Sequence, residues 1–244
     1  LQKKHTKENG EFYSKVELIK AYKNYADTHG LAEFNPKIVR NLQKKPTRTH
    51  SGVAPVTVFT KPYPCPGNCI FCPKEIKVPQ SYLSSEPGVQ RASRNKYDPY
   101  LQTYNRIQAL SNMGHPIDKI ELIVLGGTWS VYPKDYHRWF IKQCFQALND
   151  LSPRQTETIG PEKERDLSET ATWEELKKVQ NKNITAHSRC VGLVVETRPN
   201  LINKQEVIRL RKLGCTKVQI GLQFLDDEIL KLNQRGHSLK DNKK

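Results

Sequence analysis

Four runs of β-branched and apolar residues, each followed by a stretch of helical periodicity, constrain this chain more than any other feature. Residues 53–60, 119–125, 191–195 and 217–223 read as strands. Residues 100–113, 136–148, 204–213 and 226–232 read as helices. Parallel strands need crossover connections, and a helix between consecutive strands supplies them, so the pattern predicts βαβ units around a parallel sheet. The end of every strand carries an unusual residue set. These are a cysteine cluster after the first, Gly126-Gly127-Thr128 after the second, Glu196-Thr197-Arg198-Pro199 after the third and Gln223 at the end of the fourth. In (β/α) barrels the loops at the strand C-terminal ends build the active site, so all four are expected to converge. Residues 73–95 are predicted to be loop. Residues 150–185 are predicted to be loop with a helix near 173–179. Ahead of the first strand, residues 11–28 read as an amphipathic helix. A short second helix starts at Pro36, with Pro in its first turn.

The chain has six cysteines, three of them within Cys65-Pro66-Gly67-Asn68-Cys69-Ile70-Phe71-Cys72. A secreted disulfide framework is usually shorter and denser in Cys. Cys144, Cys190 and Cys215 lie in apolar helix-like or strand-like contexts and read as packing residues. A C-x3-C-x2-C loop supplies three thiolates, which suit an iron–sulfur cluster with one iron left open. Structural zinc requires a fourth ligand, which His50, His115 or His137 would have to bring from elsewhere in the fold. Coincidental free thiols are the third reading.

Charge adds a partner class. Forty Lys and Arg stand against 25 Asp and Glu, a formal net charge of +15, the footprint of an anionic partner such as a nucleic acid. Residues 1–52 alone hold eleven Lys or Arg and five acids, a net +6. No run approaches the length of a membrane span and no signal peptide is visible. The one methionine is Met113, and the chain reads as a fragment or a trimmed form.

The cysteine spacing, with Phe71 before the third Cys and Gly126-Gly127 ending the next strand, resembles that of the radical S-adenosylmethionine enzymes. Further stretches narrow the resemblance to the radical domain of the Elongator catalytic subunit family, in its shorter prokaryotic form. They are Lys61-Pro62, Tyr97-Asp98-Pro99-Tyr100-Leu101-Gln102, Val124-Leu125, Glu196-Thr197-Arg198-Pro199, Ile220-Gly221-Leu222-Gln223 and Asn233-Gln234-Arg235-Gly236-His237.

The resemblance implies an α/β fold, a partial (β/α) barrel of the radical type over 53–244, C-terminally incomplete. A basic helical tRNA-binding extension would occupy 1–52. It implies a [4Fe-4S] cluster held by Cys65, Cys69 and Cys72, and S-adenosylmethionine contacted by Gly126, Gly127, Thr128, Glu196, Arg198 and Gln223. Lys37, Arg40, Lys44, Lys45 and Arg48 would contact tRNA phosphates. The implied reaction is a carboxymethyl-type addition to the wobble uridine of tRNA. Acetyl-coenzyme A would be cosubstrate, and its acetyltransferase domain is not found in the chain. No membrane partner, possible accessory subunits and a cytoplasmic location complete the expectation. The alternatives are a zinc-stapled RNA-binding module and a family member without turnover.

Overall fold

The computed structural model describes residues 5–30, 33–152, 156–159 and 168–242. In chain order these form α1 (Lys15–Tyr25), α2 (Pro36–Leu42), β1 (Ala54–Phe59), α3 (Pro87–Arg94), α4 (Pro99–Asn112), β2 (Lys119–Leu125), α5 (Lys134–Asp150), α6 (Trp173–Asn183), β3 (Arg189–Thr197), α7 (Lys204–Lys212), β4 (Lys217–Ile220), α8 (Asp227–Leu232) and α9 (Leu239–Asn242). The helices start where their caps say they should. Ser14 with Glu17 and Thr172 with Glu175 form reciprocal capping boxes. Asp98 accepts from Leu101 N, with Pro99 in the first turn of α4.

The four strands make one parallel sheet in the order β1-β2-β3-β4. Ala54 pairs with Ile120, Leu122 with Leu193 and Val194 with Lys217. The partial α/β barrel read from the strand and helix alternation is therefore what forms. Val56, Val58, Ile120, Leu122, Val124, Leu193 and Val195 are buried in one core with Tyr104 and Ile107 of α4 and Phe140 and Leu148 of α5. In β1 and β2 burial alternates along the strand, so this helix-covered face is the buried one while Thr57, Glu121 and Ile123 on the other face are only half-buried.

Two expectations are corrected. Residues 73–95 are not all loop, because α3 occupies their last third. Pro87 is a helix-starting proline, and Val89 and Ala92 bury against Phe59. β4 stops at Ile220 rather than running to 223. Gly221 N donates to Thr197 O at 3.0 Å, and after that Leu222 N turns back to Ile220 O and Phe224 N to Leu222 O. Such three-residue turns are common at strand ends and close the ladder before Gln223.

The front helices dock on α4. The buried Lys23 of α1 donates from Nζ to Ser111 O at 3.0 Å and to Ser111 Oγ at 2.5 Å. Lys44 N donates to Met113 O at 2.9 Å. Tyr22 stacks on Phe34 with ring centroids 5.7 Å apart. Its hydroxyl accepts from Asn35 N at 2.9 Å, so this tyrosine joins α1 to the start of α2.

Burial lowers the Lys23 pKa to about 8. The unfolded chain, with an ordinary lysine near 10.5, thus binds more protons than the folded chain across that window. Stability should rise with pH between the two values. Urea midpoints at pH 8 and pH 10 should show a larger gain for the native chain than for Lys23→Met. Parallel curves would refute the assignment.

The cysteine-loop cavity as candidate active site

The C-terminal ends of the strands surround a cavity of about 620 Å³, within the range of small-molecule and cofactor sites. Cys65, Cys69 and Cys72 all line it, with Cys69 buried and the other two half-buried. Gly127, Thr128, Glu196, Arg198 and Gln223 line it too. The four strand-end loops therefore meet at one place.

The loop is held by polar contacts to each thiol. Cys65 Sγ lies 3.6 Å from Thr128 Oγ1. Cys72 Sγ accepts from Gln80 Nε2 at 3.2 Å and lies 3.1 Å from Ser81 Oγ. Arg235 Nη1 donates to Cys69 Sγ at 3.1 Å while its Nη2 donates to Gly221 O at 2.8 Å. The same guanidinium sits over the Phe71 ring, 5.7 Å from its centroid, a cation–π contact. Ile70 N donates to Asn233 O at 3.3 Å, tying the loop to the turn after α8.

Gly67 and Gly126 are glycines for contact reasons. A Cβ on Gly67 would overlap the Arg198 guanidinium. A Cβ on Gly126, where φ is +129°, would overlap Thr60 Oγ1. Thr60 cannot yield, because its hydroxyl bonds Tyr132 OH at 2.8 Å and reaches Leu125 O and Gly126 O at 3.3 Å.

Glu196 is half-buried, and burial raises its carboxyl pKa. Tyr82 OH donates to Glu196 Oε2 at 3.2 Å, which opposes that shift. The Tyr82 ring meets Phe59 edge-on at 4.9 Å. The buried Arg198 donates to Arg235 O and to Asn200 Oδ1. Among the described residues Glu196 and Arg198 form no ion pair with each other. Arg198 instead joins the Cys loop to the 233–237 turn. Gln223 adopts a left-handed backbone, φ +72°, and lines the cavity from beyond β4.

The donor set discriminates between metals. Among the described residues no three His, Cys, Asp or Glu are grouped to hold a single ion. A tetrahedral zinc site needs all its ligands about 2.0–2.3 Å from one centre. His50 and His115 line a different cavity, with Gly52, Asp118 and His187. Those residues precede the strands, so that cavity is at the opposite end of the sheet. His137 is engaged by Trp129 O at 2.7 Å and by Arg209, and burial lowers its pKa to about 3. None of the three expected zinc partners reaches the Cys loop. Three thiols opening separately into one roomy cavity fit a multi-iron cluster better than one ion.

The basic residues Lys37, Arg40, Lys44, Lys45 and Arg48 are not brought to this cavity. They lie on α2 and the turn after it, and Arg40 lines the cavity at the opposite end. The six residues of β1 between the two ends span about 20 Å at ~3.3 Å per residue. Sequence reasoning missed Tyr82 and gave no role to Arg235. Tyr82 carried no signal, since it sits in a stretch with neither period. Arg235 lay within the quoted stretch 233–237, but only the fold shows that it meets Cys69.

Residues 63–244 match the profile of the Radical SAM superfamily. The tRNA uridine(34) acetyltransferase of Methanocaldococcus infernus is 45% identical over 206 residues, which cover 82% of this chain and 35% of that protein. The tRNA uridine(34) acetyltransferase of Dehalococcoides mccartyi is 43% identical over 198 residues, 81% of this chain and 39% of that protein. Elongator complex protein 3 of Bos taurus is 34% identical over 220 residues, 85% of this chain and 36% of that one. Among solved structures, the archaeal Methanocaldococcus infernus Elp3 with an N-terminal deletion superposes with a TM-score of 0.54 at 36% identity, covering 78% of this chain and 33% of that chain. The chain thus spans little more than a third of the length of the curated relatives it matches.

Proposed function

The chain belongs to the radical SAM superfamily, and on that premise we propose that it is the radical-generating part of an enzyme that modifies the wobble uridine of tRNA. The superfamily implies a [4Fe-4S] cluster and S-adenosylmethionine. When bound, that pair would supply one-electron radical chemistry able to abstract hydrogen from an unactivated carbon. One observation carries the reading: Cys65, Cys69 and Cys72 open into a single cavity that Gly127, Glu196 and Gln223 also line.

The residues of the chain then have distinct tasks. The three thiolates hold the cluster. Gly127 leaves its backbone bare on the cavity wall, so a backbone carbonyl can approach and accept from a ligand ammonium. Glu196 accepts hydrogen bonds from cofactor hydroxyls or the ammonium, and Tyr82 orients its carboxyl by donating to one oxygen. Thr128 offers a hydroxyl beside Cys65. Arg198, with two bonds already made inside the protein, holds the Cys loop, and its carboxylate-binding role is confined to the donors left over.

The finer reading follows the names of the relatives. Acetyl-coenzyme A would be the cosubstrate, bound outside these residues. The base would receive a carboxymethyl-type group. The partner is tRNA, with residues 1–52 as its docking extension and accessory subunits as further partners in the cytoplasm. Among the described residues no helix is long and apolar enough to cross a membrane.

Anaerobic reconstitution with iron and sulfide should give a brown protein that cleaves S-adenosylmethionine once reduced. A colourless protein carrying one zinc per chain would sink the proposal.

A further inference from the structure

The outer edge of β1 carries a second cationic site that the radical chemistry does not use. α3 and α4 flank a cavity of about 370 Å³ lined by Arg91, Arg94 and Arg106, with Thr57 of β1 and Gln102 at its base. Arg91 and Arg106 are half-buried and Arg94 is exposed. Arg48 is close enough to depress both of the half-buried ones electrostatically. Among the described residues no carboxylate pairs with any of the four. Arg91 Nη1 donates to Pro87 O at 3.0 Å. Burial, with repulsion from Arg91 and Arg48, lowers the Arg106 pKa to about 10. Guanidinium groups held side by side favour an anion between them electrostatically, and their planar donors match phosphate oxygens.

We propose that Arg48, Arg91, Arg94 and Arg106 form a phosphate-binding track that carries a nucleic-acid backbone along the edge of β1 toward the cysteine-loop cavity. The placement favours a backbone over a small anion. α4 runs from the Phe59 end of β1, where Gln102 bonds both Phe59 N and O, back toward Thr49 and His115. Arg106 therefore sits midway along the strand, and Arg48 lies near its start, next to Lys44 and Lys45. At the other end Gly88 abuts the Phe59 ring, and Phe59 contacts Tyr82, which bonds Glu196. The track joins the basic patch on α2 to a cavity about 20 Å away along the strand. It also explains how basic residues at the wrong end of the sheet can serve a reaction at the other. This inference rests on the tRNA reading above.

The test uses the full chain, a tRNA transcript bearing an unmodified wobble uridine, and inorganic pyrophosphate as the small-anion probe. The Arg91→Gln/Arg106→Gln double variant should keep or raise its melting temperature, since like-charge repulsion is relieved. It should bind tRNA about tenfold more weakly at ~0.1 M salt, with the slope of log affinity against log salt shallower by about 2. Arg106→Lys should recover part of the loss. Native-like tRNA binding by the folded double variant would overturn the track and leave the proposed function standing. Unchanged tRNA binding together with loss of pyrophosphate stabilisation would overturn it in favour of a small-anion site. A native chain that binds no tRNA would overturn both.

Discussion

Cys69→Ser protein, reconstituted anaerobically beside the native chain, should come out colourless and hold essentially no cluster iron while remaining folded. Serine nearly matches cysteine in volume, so the buried position loses no packing. The backbone bonds that shape the loop, Cys72 N to Cys69 O and Ile70 N to Asn233 O, do not involve the side chain. What is lost is the soft thiolate that binds iron, since a neutral hydroxyl is a poor ligand for it. Arg235 would still find an oxygen to bond. The expected signature is a native melting curve with the visible absorption gone and S-adenosylmethionine cleavage abolished. A coloured variant would show that Cys69 is not a ligand. A variant unfolded without metal would point to a structural staple instead.

Gly126→Ala should be the most destabilising single-carbon change in the active-site loops. The new Cβ meets Thr60, whose backbone N and Cβ lie within 3.1 Å of it, and the Thr60 hydroxyl is fixed by Tyr132. The backbone is at φ +129°, which an L side chain rarely adopts. Strain of about 1–3 kcal/mol and overpacking of similar size sum to roughly 2–6 kcal/mol. For a chain of this length that is a fall of about 10 °C in melting temperature. Gly127→Ala is the internal control. Its φ is +98°, but the nearest atom to a new Cβ is Gln80 O at 3.4 Å, so only the strain applies, about 1–3 kcal/mol. Equal losses in the two variants would show that the Thr60 contact does not matter.

The comparison of sequence with structure has a physical pattern. The strands of the sheet were legible because β-branched and apolar residues recur on their buried face, as Ile120, Leu122 and Val124 do between Lys119 and Leu125. β4 was overread because Gly221 to Gln223 continue the composition of a strand while the backbone turns. α3 was missed because Pro87-Gly88 signals a loop unless the proline is recognised as a first-turn residue. The Cys65, Cys69, Cys72 spacing and the Gly126-Gly127 pair are local features, and the structure brings the three cysteines and Gly127 to one cavity. Contacts that depend on distant segments could not: nothing local tells that Arg235 will face Cys69, that Tyr82 will reach Glu196, or that Arg198 will fill the space above Gly67. The basic residues of α2 were correctly noticed as cations, but charge counting does not say which end of a sheet they occupy.

The bond from Arg235 to Cys69 also sets a timetable for biosynthesis. The two partners are 166 residues apart, and the loop's backbone anchor, Asn233, emerges equally late. At ~5–20 residues per second a ribosome needs about 10–30 s to pass from one to the other. During that interval three thiols are already outside and their cradle is not. On the proposed reading, the cradle around the three thiols is complete only once Arg235 has emerged. Until then Cys65, Cys69 and Cys72 are thiols without the contacts from Arg235 and Asn233 that later hold their loop.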